Sequence, residues 1–419
     1  MAKQRAKTAV PRLRFPEFRS GEGWVRGALG GLFSERRESG FADLPLLSLT
    51  DREGIIPQEE SNRKDNSNAD KSKYLRVVPG DIAYNTMRMW EGRSAYVGIE
   101  GLISPAYTVC TPNEEVNSRF FSYYFKTRPL IEQFRRYSQG LVKDTLSLKY
   151  ESFERIEIAF PRVEAEQKKI AECLMSLDEV IAAQGRKVDA LKAHKRGLMK
   201  QLFPREGETY PRLRFPEFRD APDWILGKAS DIVEILQGYG FPERLQGSRE
   251  GEFPFYKVSD ISACVDAGGI LLDEANNHID TDVLEELRAK LMPVGSTVFA
   301  KIGEAIRSNK RAITSRPCLV DNNAAGIKAI TGLAHDRFVY YLWCQLSLIE
   351  YAGGVVPAVN KSAMAQITVH YPNLDEQQQI ADLLSSIDTR IAAESTQLTA
   401  LKTHKQGLMQ QLFPSQGAG

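Results

Sequence analysis

Two segments of the chain carry apolar residues at alternating steps of four and three positions. This repeat of 3.5 residues is typical of the seam of a coiled coil. It predicts two long helices, each of about 37 residues and roughly 55 Å at 1.5 Å per residue. The seam positions are Ile170, Leu174, Leu177, Ile181, Gln184, Val188, Leu191, Lys195, Leu198 and Leu202, and then Ile380, Leu384, Ile387, Ile391, Glu394, Leu398, Leu401, Lys405, Leu408 and Leu412.

Each of these predicted helices needs a partner, because a single helix would leave its apolar stripe in water. We expect the two helices to pair with each other in antiparallel orientation. Full overlap then brings Gln184 opposite Glu394, and a polar pair in a seam fixes the register at some cost in stability. The alternative is that both residues flank a tapered seam.

The same segments belong to an internal duplication. Residues 11–19 (PRLRFPEFR) return unchanged at 211–219, and residues 191–204 (LKAHKRGLMKQLFP) return at 401–414 as LKTHKQGLMQQLFP. The sequences between these repeats hardly resemble each other. The chain is therefore two copies of one unit that share their ends and differ in their contents. The predicted domains are a tail and repeat opener (1–21), a variable domain (22–160), a long helix (161–205), a linker with the second opener (206–221), a second variable domain (222–372), the second helix (373–414) and a tail (415–419).

The variable domains mix short apolar segments with turn signals, which indicates strands and helices together. The predicted strands cover 75–78, 107–110, 156–160, 255–258, 296–300 and 366–371, and the predicted helices cover 119–136 and 337–351. The expected fold is α+β, with two mixed α/β globular domains separated by an antiparallel coiled coil and related by an internal pseudo-two-fold repeat.

Composition excludes several classes of protein. The net charge is +1, no apolar run is long enough to span a bilayer, and the five cysteines are scattered without metal-ligand spacing. We therefore expect a protein of the reducing cytoplasm. The chain lacks a phosphate-binding loop, a GxGxxG turn, HExxH and GxSxG. The sequence predicts no catalytic residues, no metal site and no cofactor bound by this chain.

Positive charge is nevertheless concentrated locally. Residues 288–316 contain seven Lys or Arg against one acid, and residues 63–93 contain seven against four. Such patches suit contacts with DNA phosphates, although a single patch is more often a solvated surface. Arg and Lys side chains also suit guanine, and Asn suits adenine. The candidate DNA-binding residues are Lys73, Arg76, Tyr84, Asn85, Arg88, Arg93, Lys143, Tyr239, Lys257, Lys301, Arg307, Asn309, Lys310, Arg311, Asn322 and Asn323.

Over nearly its whole length the chain resembles the specificity subunits of type I restriction–modification enzymes. The resemblance is carried by LRFPEFR (13–19 and 213–219), GLISPAYTV (101–109), GYGFPERLQGSREGEFPFYKVSDI (238–261), AKIGEA (300–305), the EQxxIA helix starts at 166–171 and 376–381, and the LKxHKxGLMxQLFP helix ends. Short pieces such as AKIGEA are weak alone, but their order together with the duplication is specific.

The resemblance implies that the variable domains are target recognition domains, each reading one half of a bipartite, asymmetric site in double-stranded DNA. It implies that the long helices hold the domains apart and dock two methyltransferase subunits. The complex would methylate adenine at N6 and, with restriction/translocase subunits, cleave unmodified DNA. S-adenosylmethionine, ATP and Mg²⁺ would bind to those partner subunits.

Two other classes of protein stay open on the sequence alone. A scaffold with two globular heads on a coiled-coil stalk fits the same periodicity and composition. A free-standing enzyme with an unusual site would show activity as a purified chain. An acidic mimic of DNA is excluded by the net charge of +1.

Overall fold

In a computed structural model of the full chain, the structure describes residues 10–50, 54–61, 67–68, 70–205 and 207–414. The chain divides into two compact units. Unit 1 comprises Met1–Ala182 with Thr399–Gly419, and unit 2 comprises Ala183–Leu398. The division falls within both long helices, so each unit contains a globular domain together with part of each helix. The predicted domain boundaries remain predictions.

Unit 1 is built mainly from short strands around an aromatic core. Its strands are β1 (Val25–Ala28), β2 (Phe33–Glu35), β3 (Leu47–Thr50), β4 (Gly54–Pro57), β5 (Leu75–Val77), β6 (Ile82–Asn85), β7 (Ser94–Tyr96), β8 (Gly101–Ile103), β9 (Tyr107–Pro112) and β10 (Glu157–Phe160). Its helices are α1 (Ser118–Tyr124), α2 (Arg128–Tyr137), α3 (Tyr150–Phe153) and the beginning of α4 (Glu164–Leu202).

Unit 2 is likewise built from short strands and a few short helices. Its strands are β11 (Ile225–Lys228), β12 (Val233–Gln237), β13 (Phe253–Tyr256), β14 (Leu271–Leu272), β15 (His278–Ile279), β16 (Thr297–Ala300), β17 (Arg311–Thr314), β18 (Leu319–Val320), β19 (Ala324–Ala329) and β20 (Thr368–Tyr371). Its helices are α5 (Ala229–Ile232), α6 (Val258–Asp266), α7 (Thr281–Glu286), α8 (Asp336–Gln345), α9 (Lys361–Ala365) and most of α10 (Leu374–Leu412).

The two units share a sheet topology although their sequences differ. The main sheet of unit 1 has the order β2-β9-β6-β7, and that of unit 2 has the order β12-β19-β16-β17, with β14 added at the edge. In both units the first and last strands of the domain form a separate antiparallel pair, β1 with β10 and β11 with β20. This correspondence confirms the predicted α+β fold with an internal repeat.

The long helices pair antiparallel within each unit, as the heptads predict. In unit 2, Lys195 of α4 bonds Asp388 of α10 at 2.5 Å, and in unit 1, Lys405 of α10 bonds Asp178 of α4 at 2.5 Å. The same carboxylates accept the hydroxyls of Tyr341 and Tyr123 at 2.6 and 2.7 Å. Each triad therefore ties both helices to the globular domain beside them.

The two medium-length helices are shorter than predicted. The helix expected over 119–136 is two helices, α1 and α2, because Pro129 occupies the first turn of α2. A proline inside a continuous helix would lack its N–H and would clash with the preceding turn. The helix expected over 337–351 stops at Gln345, and a 3-10 turn follows at Leu348–Tyr351.

The duplicated opener locks onto the start of a long helix. In unit 1, Arg14 forms a two-pronged ion pair with Glu166 at 2.7 Å, and the indole of Trp24 donates to the same carboxylate at 3.2 Å. In unit 2, Arg214 and Trp224 bind Glu376 in the same way, at 2.8–2.9 and 3.3 Å. Hydrogen bonds satisfy the charges, which makes their burial tolerable.

The glutamine that follows each of these glutamates anchors a second helix. Gln167 accepts the backbone N–H of Asn117, which caps α1, at 2.8 Å. Gln377 accepts the N–H of His335, which caps α8, at 3.0 Å. The repeated EQ pair therefore has a structural role in both units, and its recurrence in a diverged chain follows from that role.

Candidate nucleic-acid interface

In unit 1 the candidate residues Asn85, Arg88 and Arg93 lie at one edge of the main sheet. Asn85 ends β6, and the connection to β7 carries both arginines. The side-chain oxygen of Asn85 accepts the N–H of Met87 at 3.0 Å, so its NH₂ group takes no part in that hydrogen bond. Arg88 and Arg93 share the carboxylate of Glu91 at 3.1 and 3.2 Å. Because these ion pairs are solvent-exposed, DNA phosphates can replace Glu91 at little cost.

The other surface candidates of unit 1 stand in different settings. Arg76 pairs with Glu38 at 2.8 Å and Glu100 at 2.7 Å, and its guanidinium stacks 5.0 Å from the ring centre of Phe41. Lys73 is exposed just before β5, and Lys143 is exposed on the loop that precedes α3. Arg63 and Lys64, part of the basic patch predicted here, lie outside the described residues.

Tyr84 corrects one prediction, because it is a core residue. Its side chain is completely buried and packs 5.3 Å from Phe153, measured between ring centres. Burial raises the pKa of its hydroxyl well above the usual value. Side chains alternate between the two faces of a strand, so Tyr84 points into the core while Asn85, the next residue, does not.

In unit 2 three connections emerge at the corresponding edge of the main sheet. Ala300 at the end of β16 pairs with Ala324 at the start of β19, and Gln237 at the end of β12 pairs with Ala325. The residues after β12, after β16 and before β19 are therefore neighbours. These connections carry the candidates Tyr239, Lys301, Arg307, Asn309, Lys310, Asn322 and Asn323.

Direct contacts join the members of this cluster. The N–H of Lys301 donates to the carbonyl of Asn323 at 2.8 Å, and the ammonium of Lys301 donates to Gln237 at 3.0 Å. Tyr239 forms a backbone bridge with Asp321. The side chains of Asn322 and Asn323 are exposed beside this bridge, and an exposed amide group can donate and accept hydrogen bonds.

The remaining candidates of unit 2 are tethered by polar partners. Lys257 bonds Gln246 and lies 5.9 Å from the ring centre of Phe241, and the hydroxyl of Tyr239 accepts the N–H of Lys290 at 2.9 Å. In the connection after β16, Arg307 pairs with Glu304 at 3.0 Å and Lys310 with Asp266 at 2.6 Å. Between them, Asn309 is exposed in a left-handed conformation, with φ at +53°.

Arg311 corrects a second prediction. It begins β17 with its side chain only 2% exposed, and its guanidinium donates to the carbonyls of Asn309 at 2.8 Å and Leu346 at 2.9 Å. Burial lowers the pKa of this guanidinium. Arg311 therefore braces the connection before β17 against the end of α8, and its side chain is not at the surface where DNA would bind.

Two residues that sequence reasoning missed shape the electrostatics of unit 2. Asp321 lies inside the cluster, where burial raises the pKa of its carboxyl, and Gln237 holds Lys301 in place. Burial lowers the pKa of the Lys301 ammonium, and Asp321 opposes that change. The sequence did contain a signal for Asp321, because Asp-Asn-Asn after a short apolar run is typical of a turn.

The described residues contain no group of three or more His, Cys, Asp or Glu arranged to hold a metal ion. Among those same residues, no helix combines the length and hydropathy needed to cross a membrane. The candidate interface consists of two equivalent sheet edges, one in each unit. Both edges carry basic and amide side chains, and their sequences differ.

The sequence of the chain is similar to a family of DNA specificity domains and to two specificity subunits. Residues 222–403 match the family described as type I restriction modification DNA specificity domain. The type I restriction enzyme MjaVIII specificity subunit of Methanocaldococcus jannaschii is 22% identical over 359 residues, which cover 82% of each chain. The putative MjaX specificity subunit of the same organism is 24% identical over 358 residues, which cover 82% of this chain and 80% of that protein.

Solved structures agree with the fold. The crystal structure of the type I restriction–modification system S subunit from M. genitalium superposes with a TM-score of 0.60 at 13% identity, over 97% of this chain and all of that chain. A chain from a structural study of complex assembly and conformational transition in the type I system superposes with a TM-score of 0.55 at 14% identity, over 94% of this chain and 98% of the other.

Residues 222–403 therefore carry a type I restriction modification DNA specificity domain. Over about four fifths of its length the chain is similar to specificity subunits of type I restriction enzymes. Both M. jannaschii relatives are named as specificity subunits.

Proposed function

We propose that each unit of this chain reads one half of a bipartite, asymmetric site in double-stranded DNA. The observation that carries the proposal is the pair of equivalent sheet edges. Both begin where β6 or β16 ends, and both carry basic and amide side chains, yet their sequences are unrelated. Equivalent position with different side chains is what two different half-sites require.

The side chains of each edge divide into two roles. In unit 1, Asn85 reads a base edge, and Arg88 and Arg93 bind guanine or phosphate once they leave Glu91. In unit 2, Lys301, Asn322 and Asn323 read bases, while the more exposed Arg307 and Lys310 bind phosphates. Arg and Lys pair with guanine and Asn with adenine, whereas phosphate contacts position the protein without reading sequence.

The long helices set the gap between the half-sites and dock two methyltransferase subunits. The assembled complex methylates adenine at N6 with S-adenosylmethionine. With restriction/translocase subunits, which use ATP and Mg²⁺, it restricts unmodified DNA in the cytoplasm. This chain binds none of these cofactors itself. The support for this part is the similarity to type I specificity subunits and the antiparallel helix pair.

Sequencing of methylated adenines in cells that express the complex tests the proposal. We expect one bipartite motif with a fixed gap. Replacement of residues 22–160 by the corresponding domain of a relative should change one half-site and leave the other unchanged. A scaffold with two globular heads predicts instead that the chain, with its methyltransferase partner, gives no sequence-dependent mobility shift. That result would overturn the proposal.

A further inference from the structure

Each unit displays a pair of apolar residues at the tip of a loop. In unit 1, Leu141 is 101% exposed and Val142 is 61% exposed. In unit 2, Val355 is 105% exposed and Val356 is 61% exposed. A single exposed apolar side chain is ordinary on a protein surface. Two adjacent exposed apolar side chains, found at the corresponding loop of each copy, are a repeated feature that needs an explanation.

The two loops are built alike. In unit 1 the loop is closed by reciprocal backbone hydrogen bonds between Gln139 and Ser147, at 2.9 and 2.8 Å. In unit 2 the same reciprocal pair joins Gly353 and Ala358, both at 3.1 Å. The bonds at the base hold each loop closed, so the tips are presented by a defined structure.

A glycine precedes the tip in both loops. Gly140 has φ of +146° and Gly354 has φ of +90°, and such values favour glycine. A Cβ at Gly140 would also stand 2.5 Å from the carbonyl oxygen of Thr145. Each glycine therefore allows the turn that points the following two apolar residues outward.

Both loops are anchored at the candidate DNA edge. The N–H of Leu148, just after the first loop, donates to the carbonyl of Thr86 at 2.8 Å, and the N–H of Val359 donates to the carbonyl of Lys301 at 2.9 Å. Thr86 and Lys301 are the first residues after the equivalent strands β6 and β16. The base of each loop is thus joined to the connection that follows Asn85 in unit 1 and to Lys301 in unit 2, which the proposed function assigns to DNA.

We propose that these two tips, Leu141–Val142 and Val355–Val356, are wedges that enter a base step in each DNA half-site and partly unstack it. Proteins that distort DNA insert apolar side chains between base pairs, and flexible pyrimidine–purine steps yield most easily. The inference rests on the proposed function and deepens it. Part of the specificity would come from how easily the DNA deforms where these apolar residues enter it, although they form no hydrogen bond with a base.

Fluorescence of 2-aminopurine tests the wedge in the complex with methyltransferase subunits. The target duplex, identified by sequencing of methylated adenines, carries 2-aminopurine at successive positions other than the methylated adenine. The wild-type complex should raise the fluorescence at one step in each half-site. The double variant L141S/V142S should lose the signal in one half-site only, and V355S/V356S should lose it in the other half-site.

Matched controls come from exposed apolar residues at the opposite ends of the same sheets. Ile99 lies beyond the far end of β7, and Leu333 lies beyond the far end of β19. Ile99→Ser and Leu333→Ser should keep both fluorescence signals. All the substituted residues are exposed, so the variants should retain the wild-type melting temperature.

The outcomes separate the wedge from the proposed function. Site-specific binding with the same fluorescence in wild type and both tip variants would overturn the wedge and leave the proposed function intact. Loss of the methyltransferase subunits from the purified tip variants would also overturn it, because the tips would then be protein contacts. A wild-type complex without any sequence-specific binding would contradict the proposed function itself.

Discussion

The side-chain amide of Gln184 donates a hydrogen bond of 2.7 Å to the carboxylate of Glu394, near the middle of both long helices. The same amide also reaches the backbone carbonyl of Glu394 at 3.0 Å, and Lys187 pairs with the carboxylate at 2.5 Å. A polar pair among apolar seam residues is compatible with few alternative alignments. It therefore selects one register of the two helices.

Removal of this polar pair should stabilise the helices and loosen their alignment. Substitution of both residues, Gln184→Leu with Glu394→Leu, replaces a polar contact by apolar packing, which is often neutral or stabilising. We expect an unchanged or higher melting temperature, together with methylated sites of more than one gap length. Gln184→Glu is the matched contrast, since it places two carboxylates together and should lower the melting temperature. A single gap length in the double Leu variant would contradict a role in register.

The pH dependence of stability should reveal the same contact. Lys187 and then Gln184 hold the pKa of Glu394 below its usual value. A lowered carboxyl pKa contributes stability above the unfolded-state pKa, and this contribution disappears as pH falls through the folded-state pKa. Wild type should therefore melt higher than Glu394→Gln at pH 7, and the two melting curves should converge in acid. A constant difference across that range would show that the charge of Glu394 is irrelevant to stability.

The ion pair between the opener arginine and the buried glutamate of the long helix, called the opener clamp, should be essential for stability in both units. Arg14→Met leaves Glu166 buried without its ion pair, and breaking a buried pair costs about 3–5 kcal/mol of unfolding free energy. Arg214→Met should have the same effect on Glu376. Arg12→Met is the control in the same opener, because Arg12 is exposed. Denaturant unfolding measures all three variants, and an Arg14→Met protein as stable as Arg12→Met would refute the role of the clamp.

The helix length should determine the gap in the DNA target. Deletion of residues 181–187 and 391–397 removes one heptad from each helix but keeps the Lys195–Asp388 and Lys405–Asp178 pairs. Seven residues correspond to about 10 Å of helix, and hence to roughly three base pairs of about 3.4 Å each. The deletion also removes Gln184 and Glu394, so sequencing of methylated adenines should show both half-sites retained and more than one gap length, centred about three base pairs below the wild-type gap. New half-site sequences with the old gap would rule out this role.

The two edges should act independently on the two half-sites. Arg88→Ala should weaken recognition of one half-site and Arg307→Ala that of the other. Each should also reduce the slope of log affinity against log salt by about 1 if the lost contact is to a phosphate. Arg311→Met should change thermal stability without a half-site preference, because its side chain is buried. Equal effects of Arg88→Ala and Arg307→Ala on both half-sites would contradict the proposal that each unit reads one half-site.

The sequence predicted the long helices well because their signal is periodic and local. Lys195 and Lys405 interrupt an apolar seam, yet the heptads on both sides carry the pattern through them. The sheet order left no comparable signal, because strands as short as β14 and β18 pair across long stretches of chain. The shared order of the two sheets appears only in three dimensions.

The candidate DNA residues illustrate a second limit. The local sequence predicts Tyr84 and Asn85 equally as DNA-binding residues. In the structure, Tyr84 packs against Phe153 and faces the core. Arg311 was chosen by its place in a basic run, whereas α8 covers it. The exposed pair Val355–Val356 reads as an ordinary strand segment in sequence, and only the closed loop makes its exposure visible.

The contacts that fasten each domain to the helices lie apart from the loops that would meet DNA. Arg14, Gln167 and Asp178 act at the helices, whereas the connections after β6 and β16 are free of these contacts. Surface connections tolerate substitution and insertion better than the elements they join. Under the proposed function, mutation of these connections can therefore change the DNA sequence that is read while the contacts that hold each domain to the helices stay the same.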